Sequence, residues 1–225
     1  MAPMKRPASR DAAPRAERAR AIAKRLHQAY PDAACTLDFR SPLELLVATV
    51  LSAQCTDERV NLVTKTLFRN YRKPEDYLRV PVATLEKDIR STGFFRNKAK
   101  AIRAICQDVL HEHGGEVPRE MEKLVSLHGV GRKTANVVRA AVWGEPGIIV
   151  DTHVKRLATE RLALTKETDP VKIERDLQTL LPESEWSFFS QALIIHGRHC
   201  CTARKPDCPR CPLRVLCPFP RKTAA

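Results

Sequence analysis

Lys133 follows a turn with two glycines and opens a predicted helix, in the segment LHGVGRKTANVV, residues 127–138. The positive end of a helix dipole disfavours an ammonium group at that place, and partial burial would act in the same direction. A lysine so placed can offer the neutral amine that attacks a sugar C1′ carbon and then forms a Schiff base. The alternative is a lysine that contacts a phosphate group, and the turn alone leaves both open.

Gly129 and Gly131 lie between two helices that the sequence predicts over 119–127 and 133–142. A hairpin of this kind presents successive backbone N–H groups at a helix N-terminus, where a phosphate is favoured. A side chain at either glycine would hinder close approach of a polymer to the backbone. The simpler alternative is a glycine that ends one helix before the next begins.

Asp151 is the second candidate for chemistry, eighteen residues after Lys133 in the segment IVDTHVKR. We expect it to cap a helix, because its carboxylate can accept hydrogen bonds from helix N–H groups. A carboxylate held in this way stays ionised and can stabilise an oxocarbenium-like sugar or deprotonate a nearby amine. Helix capping without catalysis is the alternative.

A group of four cysteines near the C-terminus has the spacing C-x6-C-x2-C-x5-C and comprises Cys201, Cys208, Cys211 and Cys217. In a reducing compartment such a group binds metal more readily than it forms disulfides. Structural zinc sites usually draw on two close ligand pairs, and only Cys208 and Cys211 form one here, so an iron-sulfur cluster fits better than zinc. Cys200 is adjacent to Cys201, and a swap of these two ligands stays open.

The charge balance of the 225-residue chain favours a polyanionic partner. Lys and Arg number 39 against 26 Asp and Glu, which gives a formal charge of +13. A positive charge of this size attracts phosphate polymers. No apolar run is long enough to span a membrane, and the first residues lack a secretory signal. Residues 1–19 are basic and proline-containing, which predicts a disordered arm that touches nucleic acid, a solvated tail or a transit peptide.

Helix signals dominate the elements that must position these groups, so we predict an all-α fold. Ser41 and Pro42 begin a helix that is apolar on every face, and Asp169 begins another. A helix with apolar residues at helical spacing is predicted between a cap at Asn97 and a stop at Gly114. The short run Gly147–Val150 could be a strand by composition, but an isolated apolar run of this length is ambiguous and no partner strand suggests itself.

Four segments occur in an order and spacing that resemble the endonuclease III family of helix-hairpin-helix DNA glycosylases. They are LSAQCTD at 51–57, LHGVGRKTANVV at 127–138, VDTHVKR at 150–156 and the four-cysteine group. The similarity covers most of residues 20–217. It implies a [4Fe-4S] cluster on the four cysteines.

The resemblance implies that Lys133 displaces the damaged base and forms the Schiff base, with Asp151 as the essential carboxylate. Adenine-removing relatives keep the aspartate and lack the lysine, so Lys133 favours the bifunctional branch, in which strand cleavage by β-elimination follows. The expected substrate is duplex DNA with an oxidised pyrimidine or an abasic site, because lost aromaticity weakens stacking and eases extrusion. Alternatives are a monofunctional glycosylase, a non-catalytic helix-hairpin-helix module and an electron-transfer protein.

Side chains are expected to fill the gap that an extruded nucleotide leaves. Gln54 matches the gap-filling glutamine, and Phe94 lies in the matching second loop, where an aliphatic wedge is usual; the alternative for Phe94 is an ordinary core aromatic. Asp57 and His153 match positions near the cleft, although one can be a helix cap and the other a satisfied histidine. Further DNA contacts are expected at Gly129, Val130, Gly131, Arg132, Thr134, Arg204 and Lys205.

By the same resemblance, residues 36–145 form a six-helix bundle, and 20–35 with 146–225 form a cluster domain. A DNA-binding cleft would lie between them, with Lys133 on one side and Asp151 on the other. We expect a monomer without membrane contact, cytoplasmic and associated with a bacterial nucleoid, with an organellar or nuclear location left open.

Overall fold

The computed structural model describes residues 12–219 and residue 223, and every regular element in that part of the chain is helical. The all-α prediction is confirmed. The α-helices are α1 (Ala12–Ala29), α2 (Pro42–Leu51), α3 (Asp57–Asn70), α4 (Pro74–Arg79), α5 (Val82–Asp88), α6 (Phe95–His113), α7 (Met121–Ser126), α8 (Arg132–Trp143), α9 (Thr152–Arg156), α10 (Pro170–Leu180) and α11 (Trp186–His199). Short 3₁₀ turns cover Arg90–Thr92 and Glu183–Glu185, and one π-helical turn covers Leu157–Arg161.

Contacts within the chain form two compact units. The central unit is Cys35–Glu145, and the terminal unit joins the chain before Cys35 to the chain from Pro146 onwards. Within the terminal unit, α1 packs on α10 and α11, and α9 packs on α11. Within the central unit, α2 packs on α3, α6 and α8. In the described residues no helix has the length and apolar character that a membrane crossing demands.

Helix α2 is the core of the central unit, as its sequence predicts. The Ser41 side chain accepts a hydrogen bond from the Glu44 backbone N–H at 3.2 Å, and the Glu44 carboxylate accepts one from the Arg40 N–H at 2.6 Å. These bonds satisfy N–H groups that a helix start leaves without partners. Most of the remaining side chains of the helix are apolar and buried, and Leu45 and Leu46 are fully inaccessible.

Helix α6 begins earlier than its sequence predicts. The expected cap at Asn97 is wrong: the helix starts at Phe95, and Phe94 precedes it in the left-handed backbone region with φ 47°. The expected stop is present, because Gly114 ends the helix in the same region with φ 63°, a conformation that glycine adopts without steric cost.

Two further expectations can be compared with the structure. The run Gly147–Val150 forms no strand, and the side chains of Ile148 and Ile149 are buried. Of the predicted disordered arm, residues 1–11 lie outside the described residues, whereas residues 12–19 are helical. Disorder is therefore wrong for residues 12–19. The Arg18 guanidinium donates to the Ala163 carbonyl at 2.8 Å, a distant partner that the local sequence does not reveal.

Candidate functional site

The glycine hairpin has the predicted form. Gly129 adopts φ 73°, a left-handed conformation that a side chain would strain. Gly131 is the N-cap of α8 with an ordinary φ of −87°, and a Cβ there would meet nothing within 4 Å. The Asp108 carboxylate accepts a hydrogen bond from the His128 N–H at 2.6 Å and so ties the hairpin to α6. Only Gly129 is required by the conformation of the turn.

Val130 differs from its expected role as one of the residues that face DNA. Its side chain is 4% exposed, and its N–H already donates to the Leu127 carbonyl at 3.0 Å. Val130 therefore anchors the turn in the core of the central unit. The N–H groups that a helix start leaves available belong to the following residues of α8.

Lys133 lies in the first turn of α8 and is exposed, so the expected partial burial is absent in the structure. The opposite face of α8 is buried and fixes the helix through Ala135, Asn136, Val137 and Val138. Arg132 and Thr134 flank the lysine and are half-buried. Lys133 therefore presents its amine at the surface from a firmly packed helix.

Gln54 and Phe94 occupy two exposed loops of the central unit. Both have left-handed backbone, with φ 54° and φ 47°, which is uncommon for residues other than glycine. Phe94 is 61% exposed, so it is not an ordinary core aromatic. An exposed side chain on strained backbone is typical of a functional loop.

Sequence reasoning missed the group that connects these two loops. Lys98, in α6, is 4% exposed, and its ammonium donates to the Leu51 carbonyl at 2.8 Å and to the Thr92 carbonyl at 2.7 Å. Burial lowers the pKa of Lys98, and the nearby Cys55 thiol opposes that shift. The helical spacing of α6 places residue 98 on the buried face, which is the signal that could have revealed it.

Asp57 is not the cap of its helix. Thr56 is the N-cap of α3, and its hydroxyl accepts a hydrogen bond from the Arg59 N–H at 3.3 Å. The Asp57 carboxylate instead accepts a hydrogen bond from the Thr36 hydroxyl at 2.5 Å. This bond joins the first turn of α3 to the segment that precedes α2.

Asp151 is the N-cap of α9, as predicted, and its carboxylate accepts a hydrogen bond from the Val154 N–H at 2.8 Å. His153 follows in the first turn. Burial lowers the pKa of His153, and the adjacent Asp151 carboxylate opposes that shift. Gly197 in α11 lies against the same turn: a Cβ on this glycine would approach the His153 Cβ to 2.9 Å. The glycine permits the close packing of α9 on α11.

The four predicted cysteine ligands line one cavity of the terminal unit. Arg161 and His196 line it as well. Burial raises the pKa of the Cys201 thiol to about 11, an effect that Arg161 opposes, and raises that of Cys211 to about 12. A metal that binds here must therefore displace protons.

Arg161 places a positive charge at this cavity. Its guanidinium is 9% exposed, its Nε has no hydrogen-bond partner in the described residues, and the group lies 3.9 Å from the centre of the Phe219 ring. Arg156 adds a second cation nearby, which donates to the Cys201 carbonyl at 2.8 Å. Four cysteines beside two guanidinium groups fit an iron-sulfur cluster, whose thiolate ligands carry net negative charge.

Cys200 does not line this cavity, and its Sγ lies 3.7 Å from the Asp207 carbonyl oxygen. A second arrangement also exists, because ligand atoms of His196, Cys200 and Cys211 all lie within 4.8 Å of one another. In the His196 ring, Nδ1 lies 2.9 Å from the Tyr30 hydroxyl oxygen, and Nε2 lies 3.6 Å from the Cys211 Sγ. The choice between Cys200 and Cys201 therefore stays a prediction.

Arg204 and Lys205 are exposed in the loop between the first two predicted ligands. Two bonds shape this loop: the Thr202 hydroxyl donates to the Lys205 carbonyl at 2.7 Å, and Arg161 donates to the Ala203 carbonyl at 3.1 Å. Both cationic side chains are thus presented to solvent from a backbone that is held in place.

Comparisons with known proteins give one consistent answer. Residues 47–183 match the HhH-GPD superfamily of base excision DNA repair proteins. Endonuclease III of Synechocystis sp. is 52% identical over 93% of this chain and 95% of its own length, and endonuclease III of Bacillus subtilis is 49% identical over 84% and 86%. A solved structure of a trapped endonuclease III–DNA covalent intermediate is 45% identical with a TM-score of 0.86, covering 91% of this chain and 96% of the other.

These similarities cover most of the chain. Their sequence identities are well above the level at which two proteins share only a fold. The predicted class of enzyme, a base-excision-repair DNA glycosylase with AP lyase activity, is thereby confirmed. The chain belongs to the endonuclease III family of helix-hairpin-helix base excision repair proteins.

Proposed function

We propose that Lys133 is the nucleophile with which this enzyme removes oxidised pyrimidines from duplex DNA and then cuts the strand. The lone pair of its amine nitrogen attacks the sugar C1′, the nitrogen gives up a proton, and the damaged base leaves. The sugar ring opens to a Schiff base with the lysine, and loss of a C2′ proton expels the 3′ phosphate by β-elimination. The observation that carries this proposal is an exposed Lys133 on the first turn of a packed helix, directly behind a glycine hairpin.

The relatives support a covalent lysine route. One solved relative is a trapped covalent intermediate of endonuclease III with DNA. An amine nucleophile is suited to such an intermediate because an imine with the sugar can be reduced to a stable bond.

We propose that Asp151 supplies the carboxylate for this reaction. The N-cap bond to Val154 fixes one carboxylate oxygen, and the second oxygen can face the reacting sugar. The positive end of the helix dipole attracts the negative charge of a carboxylate at this place. That charge can stabilise the positive sugar in the transition state or accept the proton that the lysine releases.

The lesion must leave the base stack before any side chain can reach its glycosidic bond. We propose that Gln54 and Phe94 fill the space it vacates. The amide of Gln54 can bond with the orphaned base, and the exposed ring of Phe94 can insert between base steps. An oxidised or saturated pyrimidine stacks weakly, so its extrusion costs less than that of an intact base.

We propose that two basic surfaces hold the DNA backbone. In the hairpin, the N–H groups that begin α8, together with Arg132 and Thr134, face a phosphate. In the cysteine loop, Arg204 and Lys205 contact a second stretch of backbone. The formal charge of +13 agrees with such a partner.

We propose that Cys201, Cys208, Cys211 and Cys217 hold a [4Fe-4S] cluster. When bound, the cluster supplies structural cross-linking of residues 201–217 and is not required for the excision chemistry. The chain's own residues then present the basic loop. The monomeric state and the nucleoid location remain predictions from the sequence.

A strand-incision assay tests the proposed nucleophile. A labelled duplex with one thymine glycol is incubated with the wild-type chain, with Lys133→Gln and with Lys123→Gln, an exposed lysine on α7. We expect incision by the wild type and by Lys123→Gln, and a loss on the order of 10³-fold or more in Lys133→Gln. Retained incision by Lys133→Gln would show that another amine attacks. Base release without incision by the wild type would instead identify a monofunctional glycosylase.

A further inference from the structure

Lys98 is a buried cation whose contacts are unusual for a lysine. In the described residues no carboxylate is hydrogen-bonded to its ammonium, which donates instead to the backbone carbonyls of Leu51 and Thr92 at 2.8 and 2.7 Å. Lysine is almost never fully buried unless it is paired. Burial disfavours the charge, so a specific requirement must retain this side chain.

The two acceptors lie at the bases of the two exposed loops. Leu51 is the last residue of α2 and precedes Gln54 by three positions, while Thr92 ends the 3₁₀ turn and precedes Phe94 by two. One ammonium group therefore ties together two segments that are 41 residues apart in the chain. The bond to each carbonyl is short, as expected for a charged donor.

A simple helix cap does not account for this arrangement. Capping the end of α2 requires a donor to α2 alone, and a surface side chain or water can provide it. Lys98 reaches both loops at once from the interior of the unit. Each loop also places a residue other than glycine in the left-handed region, where the surrounding structure must hold it.

We infer that Lys98 is a positioning residue that fixes the spacing between Gln54 and Phe94. This inference rests on the proposed function, in which both side chains enter the duplex at one lesion. Because both loops are bonded to one ammonium, the two side chains meet the DNA as a single rigid unit. Lys98 then acts on nucleotide extrusion and leaves the chemistry at Lys133 untouched.

A comparison of two substrates separates extrusion from chemistry. Excision of thymine glycol from a duplex requires the nucleotide to be extruded, whereas cleavage at an abasic site in single-stranded DNA does not. We expect Lys98→Met to slow duplex excision by about 10-fold to 100-fold, the effect of losing hydrogen bonds from a charged donor, and to leave single-strand cleavage unchanged. Lys100→Met, at an exposed lysine in the same helix, is the control and should change neither. Equal loss on both substrates would overturn the inference.

A double-mutant cycle removes the ambiguity of a merely structural role. In a chain that already carries Gln54→Ala and Phe94→Ala, Lys98→Met should slow duplex excision no further. A full, additive loss would contradict positioning. Lys98→Gln should restore part of the activity, because its amide keeps two N–H donors.

A second measurement covers the case in which Lys98→Met fails to fold. With Lys98 intact, Gln54→Ala and Phe94→Ala should be non-additive in duplex excision, since the two residues are held as one unit; additive effects would overturn the inference. Failure of the proposed function looks different, because Gln54→Ala and Phe94→Ala would then each leave duplex excision at the wild-type rate.

Discussion

The central and terminal units carry their candidate functional groups in opposite ways. In the central unit, Lys133 is exposed on a helix, and Gln54 and Phe94 are exposed in loops between helices whose buried faces are largely apolar. In the terminal unit, the four cysteines are half-buried in a segment, residues 201–219, that has turns but no helix. Leu213 is the one fully buried apolar side chain described in that segment.

This difference indicates how each site keeps its geometry. The central unit holds its exposed groups through apolar packing and the buried contacts of Lys98, so we expect its geometry to persist without any ligand. The cysteine segment has little apolar burial of its own, so we expect its order to come from the proposed cluster. Hydrogen bonds from Arg156 and Arg161 to its carbonyls help to hold it in place.

The largest expected effect lies at Asp151, where the terminal unit would contribute to catalysis. Asn caps helices as well as Asp does, so Asp151→Asn should leave the free energy of unfolding unchanged. Excision should fall by about 10²-fold to 10⁴-fold, because the charge is lost. Asp169→Asn alters the N-cap of α10 in the same way and should not change activity. Full activity of Asp151→Asn would show that Asp151 only caps its helix and takes no part in catalysis.

Substitution of one cysteine ligand should disturb one unit and spare the other. We expect Cys208→Ser to lose bound iron and to expose the amides of residues 201–217 to hydrogen exchange, since metal binding supplies much of the order there. Amides of α2 and α6 should keep their protection. Cys200→Ser is the matched control and should retain iron. Loss of iron from Cys200→Ser would show that the ligand set includes Cys200.

The two hairpin glycines should respond differently to alanine. Gly129→Ala forces a side chain onto a left-handed backbone and should destabilise the chain by about 1 kcal/mol. Gly131→Ala meets open space at an ordinary φ, so its stability should be that of the wild type. If a phosphate approaches the backbone there, Gly131→Ala weakens DNA binding by about tenfold. Unchanged DNA affinity in a titration of Gly131→Ala would show that no phosphate contacts the backbone there.

The smallest expected effect concerns an ion-pair group at the end of the central unit. Hydrogen bonds from Arg119, and also from Arg139, hold the pKa of Glu145 below its ordinary value of 4.5. The contribution to stability is present above the unfolded-state pKa and is lost as pH falls through the lower folded-state pKa. Glu145→Gln should therefore lower the free energy of unfolding by at most about 1 kcal/mol at neutral pH, and should leave it unchanged in acid. Urea unfolding of the wild type and of Glu145→Gln at both pH values tests this. A difference in free energy of unfolding between the two chains that stays the same at both pH values would contradict it.

Local chemistry made much of the fold and site predictable. Ser41, Asp151 and Asp169 cap their helices as expected, because a cap is a bond between residues three positions apart. The hairpin between α7 and α8 was predictable for the same reason, since Gly129 supplies a conformation that few other residues adopt.

Contacts between remote segments could not be predicted. Phe94, not Asn97, precedes α6 because its loop is held in a left-handed conformation by the surrounding unit. Arg18 finds its carbonyl partner 145 residues away, and Lys98 finds the Leu51 carbonyl 47 residues away. Periodicity tells which face of a helix is buried, but it does not tell which loop a buried cation will join.

Trapping the covalent intermediate tests the central claim most directly. The wild-type chain is mixed with duplex DNA containing an abasic site in the presence of borohydride, which reduces an imine to a stable amine. The cross-linked chain is then digested, and the modified peptide is sequenced by mass spectrometry. We predict DNA attached to Lys133 alone and no adduct with Lys133→Gln. An adduct at another residue, or the same yield with Lys133→Gln, would contradict this account.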